Sequence, residues 1–326
     1  MRIHTLLATV ALSALALSAC GQAETKAKTE TVTASGAASG ETAAPATDGA
    51  PSLTVAPPAG LAVGKATTLT LSLKDAAGKP LGPDAIATSH TQKVHVMIVD
   101  AGLEDYTHAH ATPGATPGAT PGEWTVPFTP KFGRTYKVWA DFKLASAGGD
   151  KHAGHDMAGM EPKEKGHDHN DGTHAHDELK KDDAHPLTPS ATLQVGTQAA
   201  PAVAAVQSLS GSAGGLKFSL SLAGAVKAGD HVAATLAVMD EATGQPFTGL
   251  EPIMGAYAHL VGFSADGATM LHGHPEGTEP KDAAARGGPT LTFELHPATA
   301  GPTRMFLQVQ KGGQVVVVPF TLIVNP

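Results

Sequence analysis

Short apolar runs set the pattern of this chain. Ala66 to Leu73 alternates apolar and polar positions (ATTLTLSL), and Val94 to Val99 is β-branched and continuously apolar. Tyr136–Phe142, Leu216–Leu222, Val232–Val238, Leu291–Leu295 and Val315–Val324 share this character, with Gly and Pro between them. Alternation at period two between turn residues is the strand signal, and no segment sustains a helical period with caps. Many short strands in units of about 100 residues point to antiparallel sandwiches. The expected fold is all-β: two tandem antiparallel immunoglobulin/cupredoxin-like β-sandwiches, over residues 53–198 and 207–326.

The two halves match each other. Leu71, Asp75, Gly78 and Pro80 answer Leu236, Asp240, Gly244 and Pro246. The segment Gly133–Trp139 answers Gly301–Phe306, and Ala191–Val195 answers Phe320–Val324. His95, His108 and His110 read H-x12-H-x-H, and so do His259, His272 and His274. A duplicated domain explains both the spacing and its flanks.

Turn chemistry brings each triplet together. Asp266-Gly267 is a two-residue hairpin signal. With that turn, His259 lies opposite His274, and His272 falls on the same face because side chains alternate along a strand. In the first copy, pairing His95 with His110 centres the turn between Gly102 and Leu103 and sets Met97 opposite His108. Val94, Val96 and Ile98 occupy the other face, so the histidines point away from the core of their own sandwich. Each triplet is expected to make its own three-His site with an open position. A thioether at Met97 suits Cu(I), and its counterpart Val261 predicts that the two sites differ. His90, His231 and His296 have no matched partner and are not assigned as ligands.

The second copy turns tightly at Lys311–Gln314, where the first inserts about forty residues (roughly 145–186). This insertion carries His152, His155, His167, His169, His174, His176 and His185, with Met157 and Met160 among them. It cannot bury a core and is expected to be a disordered, metal-collecting loop. Imidazole and thioether together favour copper, and the Met-free His167–His176 part accepts Cu(II), nickel or zinc. The three ATPG units over Ala111–Gly122 read as a turn-rich spacer.

At the N-terminus, Arg2 precedes an apolar run, Leu6 to Leu17, too short to span a bilayer and suited to a signal h-region. Leu17-Ser18-Ala19-Cys20 resembles the bacterial lipobox. That resemblance implies a signal peptide over residues 1–19 and lipid on Cys20, the chain's sole cysteine. Gly21, by resemblance to Gram-negative sorting, implies a lipid anchor in the periplasm at the outer membrane. Residues 20–52 are rich in Ala, Thr, Gly, Ser and Glu and are expected to be a disordered tether reaching roughly 30 Å. A single cysteine excludes an intrachain disulfide. A net charge of −8 argues against nucleic acid and favours cations.

Further motifs carry a resemblance. His152-Ala153-Gly154-His155-Asp156-Met157-Ala158-Gly159-Met160 resembles the His/Met motifs of periplasmic copper-resistance proteins. Gly255–Val261, Leu271–Pro275 and Met305–Val309 with Gly312-Gly313 resemble a family of bacterial secreted and lipid-anchored tandem β-sandwich proteins linked to heavy-metal handling. The first copy follows more distantly, and Ala111 replaces the Pro after its last His. The family resemblance supports the fold first; taken with the histidine sets and the insertion, the expected function is a non-enzymatic metal-binding lipoprotein that sequesters copper or passes it to a periplasmic metal-handling partner. Two alternatives remain open from the residues: a metal-dependent hydrolase or oxidase using a three-His site, and a protein-interaction sandwich with incidental histidines. The missing cysteine thiolate disfavours a blue-copper carrier.

Overall fold

The computed structural model describes residues 50–114, 120–145 and 186–326. It has the tandem antiparallel β-sandwiches expected, and the seven runs read as strands, from Ala66–Leu73 to Val315–Val324, form strands. The one helical element among the described residues is a 3-10 turn, Pro83–Ala85.

In the first sandwich the outer sheet has the order β1-β2-β6-β5. Its strands are β1 (Ser52–Ala56), β2 (Thr67–Lys74), β5 (Thr112–Pro113) and β6 (Glu123–Phe128). The inner sheet runs β4-β3-β7-β8. It is built from β3 (His95–Asp100), β4 (Tyr106–His110), β7 (Thr135–Asp141) and β8 (Ser190–Gln194). Leu69, Leu71 and Leu73 on β2 pack with Trp124, Val96, Ile98 and Val138 in the core between the sheets. The chain crosses from the inner to the outer sheet at Ala111, so the start of the ATPG spacer is an edge strand instead of a simple turn. Proline is tolerated at an edge, and the Thr112 and Thr125 hydroxyls meet at 3.0 Å.

The second sandwich repeats the plan. Its outer sheet, β14-β11-β10-β9, comprises β9 (Ser210–Ala213), β10 (Leu216–Leu222), β11 (Val232–Asp240) and β14 (Thr290–Leu295). Its inner sheet, β13-β12-β15-β16, comprises β12 (His259–Ser264), β13 (Met270–Gly273), β15 (Gly301–Lys311) and β16 (Gln314–Val324). Phe218, Phe293, Leu260, Leu307 and Phe320 fill the core.

The two inner sheets also pack on each other, giving four layers. Met97, Val99, Leu103, Tyr106 and Trp139 meet Val261, Phe263 and Phe306 in a third apolar cluster. Tyr106 stacks on Phe306 with ring centroids 4.5 Å apart and an interplanar angle of 5°. Strands β3 and β12 are therefore buried at every position, which is why their sequences run continuously apolar instead of alternating. This packing turns the histidine face of each sandwich toward the other, not toward solvent.

Both hairpins that carry histidines are pinned at their turns. Asp100 accepts the backbone N–H groups of Gly102, Glu104 and Asp105 at 2.9, 2.7 and 2.7 Å. Arg134 Nη1 donates to Asp100 at 2.7 Å and to Glu104 at 2.6 Å. In the second sandwich, Asp266 accepts from the Ser264 hydroxyl at 2.6 Å and the Ala268 N–H at 3.0 Å, with Gly267 at φ +65°.

Candidate metal centre

These turns fix the register. His95 pairs with His110, and Met97 with His108, as the turn arithmetic requires. Val261 pairs with His272 and Leu260 with Gly273, which continues to His259 opposite His274. Two of the three ring separations nearly repeat between the triplets, while His108–His110 at 6.2 Å and His272–His274 at 4.4 Å differ. The His95–His110 centroid distance is 4.6 Å against 4.8 Å for His259–His274, and His95–His108 is 5.8 Å against 5.7 Å for His259–His272.

The expectation of two separate three-His sites does not survive the packing of the inner sheets, because the triplets form one cluster. The rings of His108 and His272 lie 5.0 Å apart, those of His108 and His259 4.7 Å, and those of His95 and His272 5.5 Å. Among the described residues, three sets could hold a metal ion: His95/His108/His110, His95/His272/His274 and His108/His259/His272. Within each set the candidate ligand nitrogens lie within 4.8 Å of one another. Two of the three sets draw on both sandwiches, and His95, His108 and His272 each belong to two. The cluster therefore cannot be divided into independent halves.

Hydrogen bonds fix which nitrogen of four rings faces inward. His95 Nε2 donates to the Ser89 carbonyl at 3.1 Å, and His259 Nε2 donates to that of Ile253 at 3.0 Å. His108 Nδ1 donates to Gln308 Oε1 at 3.0 Å, and His272 Nδ1 to Asp141 Oδ2 at 2.7 Å. A neutral imidazole has one donor and one acceptor nitrogen, so in the neutral form each of these rings keeps a lone pair on its other nitrogen. Those atoms, His95 Nδ1, His259 Nδ1, His108 Nε2 and His272 Nε2, are buried without a hydrogen-bond partner, as are His110 Nε2 and His274 Nε2. Leaving a buried acceptor unsatisfied costs about 1–3 kcal/mol. Six unpartnered imidazole nitrogens converging is a poor solution for a bare core and a good one for a cation that takes nitrogen ligands. The donor set fits a transition metal of the copper, nickel or zinc type.

Protonation supports the same chemistry. Burial, reinforced by His272, lowers the His95 pKa to about 4, with the Ser89 carbonyl and Asp141 opposing. Burial, then the neighbouring His95 and His272, lowers His110 to about 4. Burial comes first for His108, His259 and His274 as well, and all three fall below the ordinary imidazole value. These rings are neutral, and able to ligate, at neutral pH.

Met97 lies opposite His108 in register and packs in the apolar cluster between the sandwiches, fully buried. His90 joins the histidines as a seventh ring. It stacks on His274 at 3.8 Å between centroids, and its Nδ1 is 2.7 Å from Glu279 Oε1. Asp141 and Gln308, which orient His272 and His108, occupy matching register positions opposite His95 and His259. The signal for His90 lies in the duplication. The shift that takes His95 to His259 takes His90 to Met254, another residue with a ligating side chain. His231 and His296 stack on each other at 4.1 Å with partners of their own, Glu294 and the Gly229 carbonyl.

Cys20, His152, His155, Met157, Met160, His167, His169, His174, His176 and His185 lie outside the described residues, as do the signal segment and most of the expected tether. The ends of the insertion are described. Phe142, the residue after Asp141, bridges Leu187, so the insertion leaves and rejoins the fold beside the cluster. Among the described residues no helix is long and apolar enough to cross a membrane.

A family model described as a domain of unknown function, DUF8832, matches residues 46–153 and 211–326. No curated protein matches the chain. Among solved structures, the three N-terminal domains of the bacteriophage RB49 highly immunogenic outer capsid protein (Hoc) are 8% identical, with 85% of this chain and 70% of that one covered and a TM-score of 0.20. Domains 4 and 5 of the S-layer protein SbsC are 13% identical, with 85% and 98% covered and a TM-score of 0.17. A structure named pT26-6p is 9% identical, with 86% and 64% covered and a TM-score of 0.22. Likeness at this level carries no argument about function.

Proposed function

The chain belongs to the DUF8832 family, and we propose that it binds a transition metal, copper in the first instance, in the histidine cluster shared by its two sandwiches. One observation carries this reading: six imidazole nitrogens, three from each sandwich, are buried together with no hydrogen-bond partner. Their second nitrogens support it where they are anchored. A ligating histidine commonly donates its other N–H to a carboxylate or carbonyl, as His272 does to Asp141 and His95 to Ser89.

The reading is a binding protein that holds metal or hands it on, without turnover. His259 and His95 are 0% and 3% exposed, which favours retention over exchange with a substrate. Copper is favoured by the His/Met composition of the insertion and by its likeness to copper-resistance motifs. In this reading the insertion collects metal at lower affinity beside the cluster. Cys20 carries the lipid that holds the protein in the periplasm at the outer membrane, where a metal-handling partner exchanges copper with it.

Competition titrations of Cu(I), Cu(II), Zn(II) and Ni(II) into protein lacking residues 1–20 and 146–185 test this. Tight stoichiometric binding, strongest for copper and lost in His95→Ala, supports the reading. The absence of binding by any of these ions refutes it.

A further inference from the structure

The innermost histidines cannot meet water directly, so an ion must reach them through a less buried ring. A cavity of about 220 Å³ lies beside two such rings, His90 and His274. Glu276, Glu279 and Tyr257 also line it. The His90 and Glu279 side chains are 25% and 59% exposed. Inward from them, His274 is 4.4 Å from His272, 4.8 Å from His259 and 5.9 Å from His95, centroid to centroid. A continuous series of ligands thus runs from an acidic mouth to the cluster.

The loop that presents His90 is held in an uncommon shape. His90 and Thr91 have φ of +47° and +72°, a region that side chains other than glycine enter at an energetic cost. Ser89 and Gln92 close the loop with two backbone hydrogen bonds, of 2.7 and 3.1 Å. The His90 carbonyl lies so close to Gly255 that a Cβ there would sit 2.7 Å from its oxygen. Both sandwiches therefore hold His90 over His274. The equivalent loop places Met254 (φ +48°) where the first has His90, so the duplication does not repeat this imidazole.

We propose that this cavity is an outer cation site, where His90, His274, Glu276 and Glu279 capture a hydrated divalent transition-metal ion before it passes to the buried imidazoles. The proposal rests on the metal-binding reading of the cluster. Carboxylates raise the local concentration of cations and accept an ion that keeps part of its water shell. Imidazoles then replace the remaining water stepwise, which avoids stripping the whole shell at once. Mixed oxygen and nitrogen ligands suit Cu(II), Ni(II) or Zn(II) better than Cu(I).

Stopped-flow mixing of the protein with Cu(II) tests the proposal through quenching of tryptophan fluorescence. Trp139 shares the inner-sheet face of Asp141 and reports filling of the cluster. Glu276→Gln/Glu279→Gln and His90→Asn are the variants, asparagine being tolerant of positive φ. The expected result is an association rate at least about tenfold lower in both, with a weaker salt dependence in the carboxylate variant. The final stoichiometry at the cluster stays unchanged in the carboxylate variant. Wild-type rates in both variants, with full binding, overturn the outer site and leave the cluster reading intact. Failure of the unaltered protein to bind Cu(II) overturns both.

Discussion

His272 Nδ1 lies 2.7 Å from Asp141 Oδ2, although the two residues sit in different sandwiches. The carboxylate therefore orients a ring across the domain interface, as Gln308 orients His108 from the other side. Removing the charge should lower metal affinity without unfolding the protein. Asp141→Asn is expected to weaken binding about 10–100-fold, measured by competition titration, with little change in melting temperature. An unchanged affinity would detach Asp141 from the site.

The sharing of ligands has a consequence for mutational coupling. His108 and His272 each serve two of the three possible ligand sets. In independent sites, His108→Ala and His272→Ala would each remove half of the binding, and their effects would add. In one cluster each variant disturbs all bound metal, and a double-mutant cycle on binding free energy should show coupling above about 0.5 kcal/mol. Calorimetric stoichiometries of the single and double variants decide between the two.

Protonation should destabilise the metal-free protein in mild acid. Burial lowers His95 and His110 from 6.5 in the unfolded chain to about 4 in the fold. Between these values the unfolded state binds more protons, so stability falls as pH falls. The contribution is fully present above about pH 6.5 and is lost progressively toward pH 4. Urea midpoints at pH 7.5, 6 and 5 should decline in that order. His110→Gln should flatten the decline.

The third apolar cluster holds the two histidine faces together. Phe306 is 3% exposed and stacks on Tyr106 across the interface. Phe306→Ala is expected to destabilise the fold by about 3–5 kcal/mol. It should also weaken metal binding, because the triplets lose their fixed separation. Denaturant melts with and without metal separate the two effects.

Hairpin register was legible in the sequence because it is set locally. Asp266-Gly267 and the His95–His110 spacing place three rings on one face without reference to the rest of the chain. The docking of the inner sheets was harder to read, since it depends on faces distant in sequence. A clue was present. The face that carries His95 also carries Met97 and Val99, and the face with His259 carries Val261 and Phe263. A solvated face would not be so apolar, so a face shared by histidines and large apolar side chains had to be covered. Asp141 and Gln308 had no such signal, because their roles exist only once the two sandwiches meet. His90 was missed, since its one signal is an offset that lands on a Met, Met254, instead of on another His.

Cu(II) electron paramagnetic resonance of protein lacking residues 146–185 decides whether both halves build one cluster. The expected imidazole-nitrogen signature changes in His95→Ala and changes equally in His259→Ala, since each triplet contributes to the same centre. A spectrum that either substitution leaves intact, with full copper bound, would mean that each triplet works alone and would rule out a shared centre.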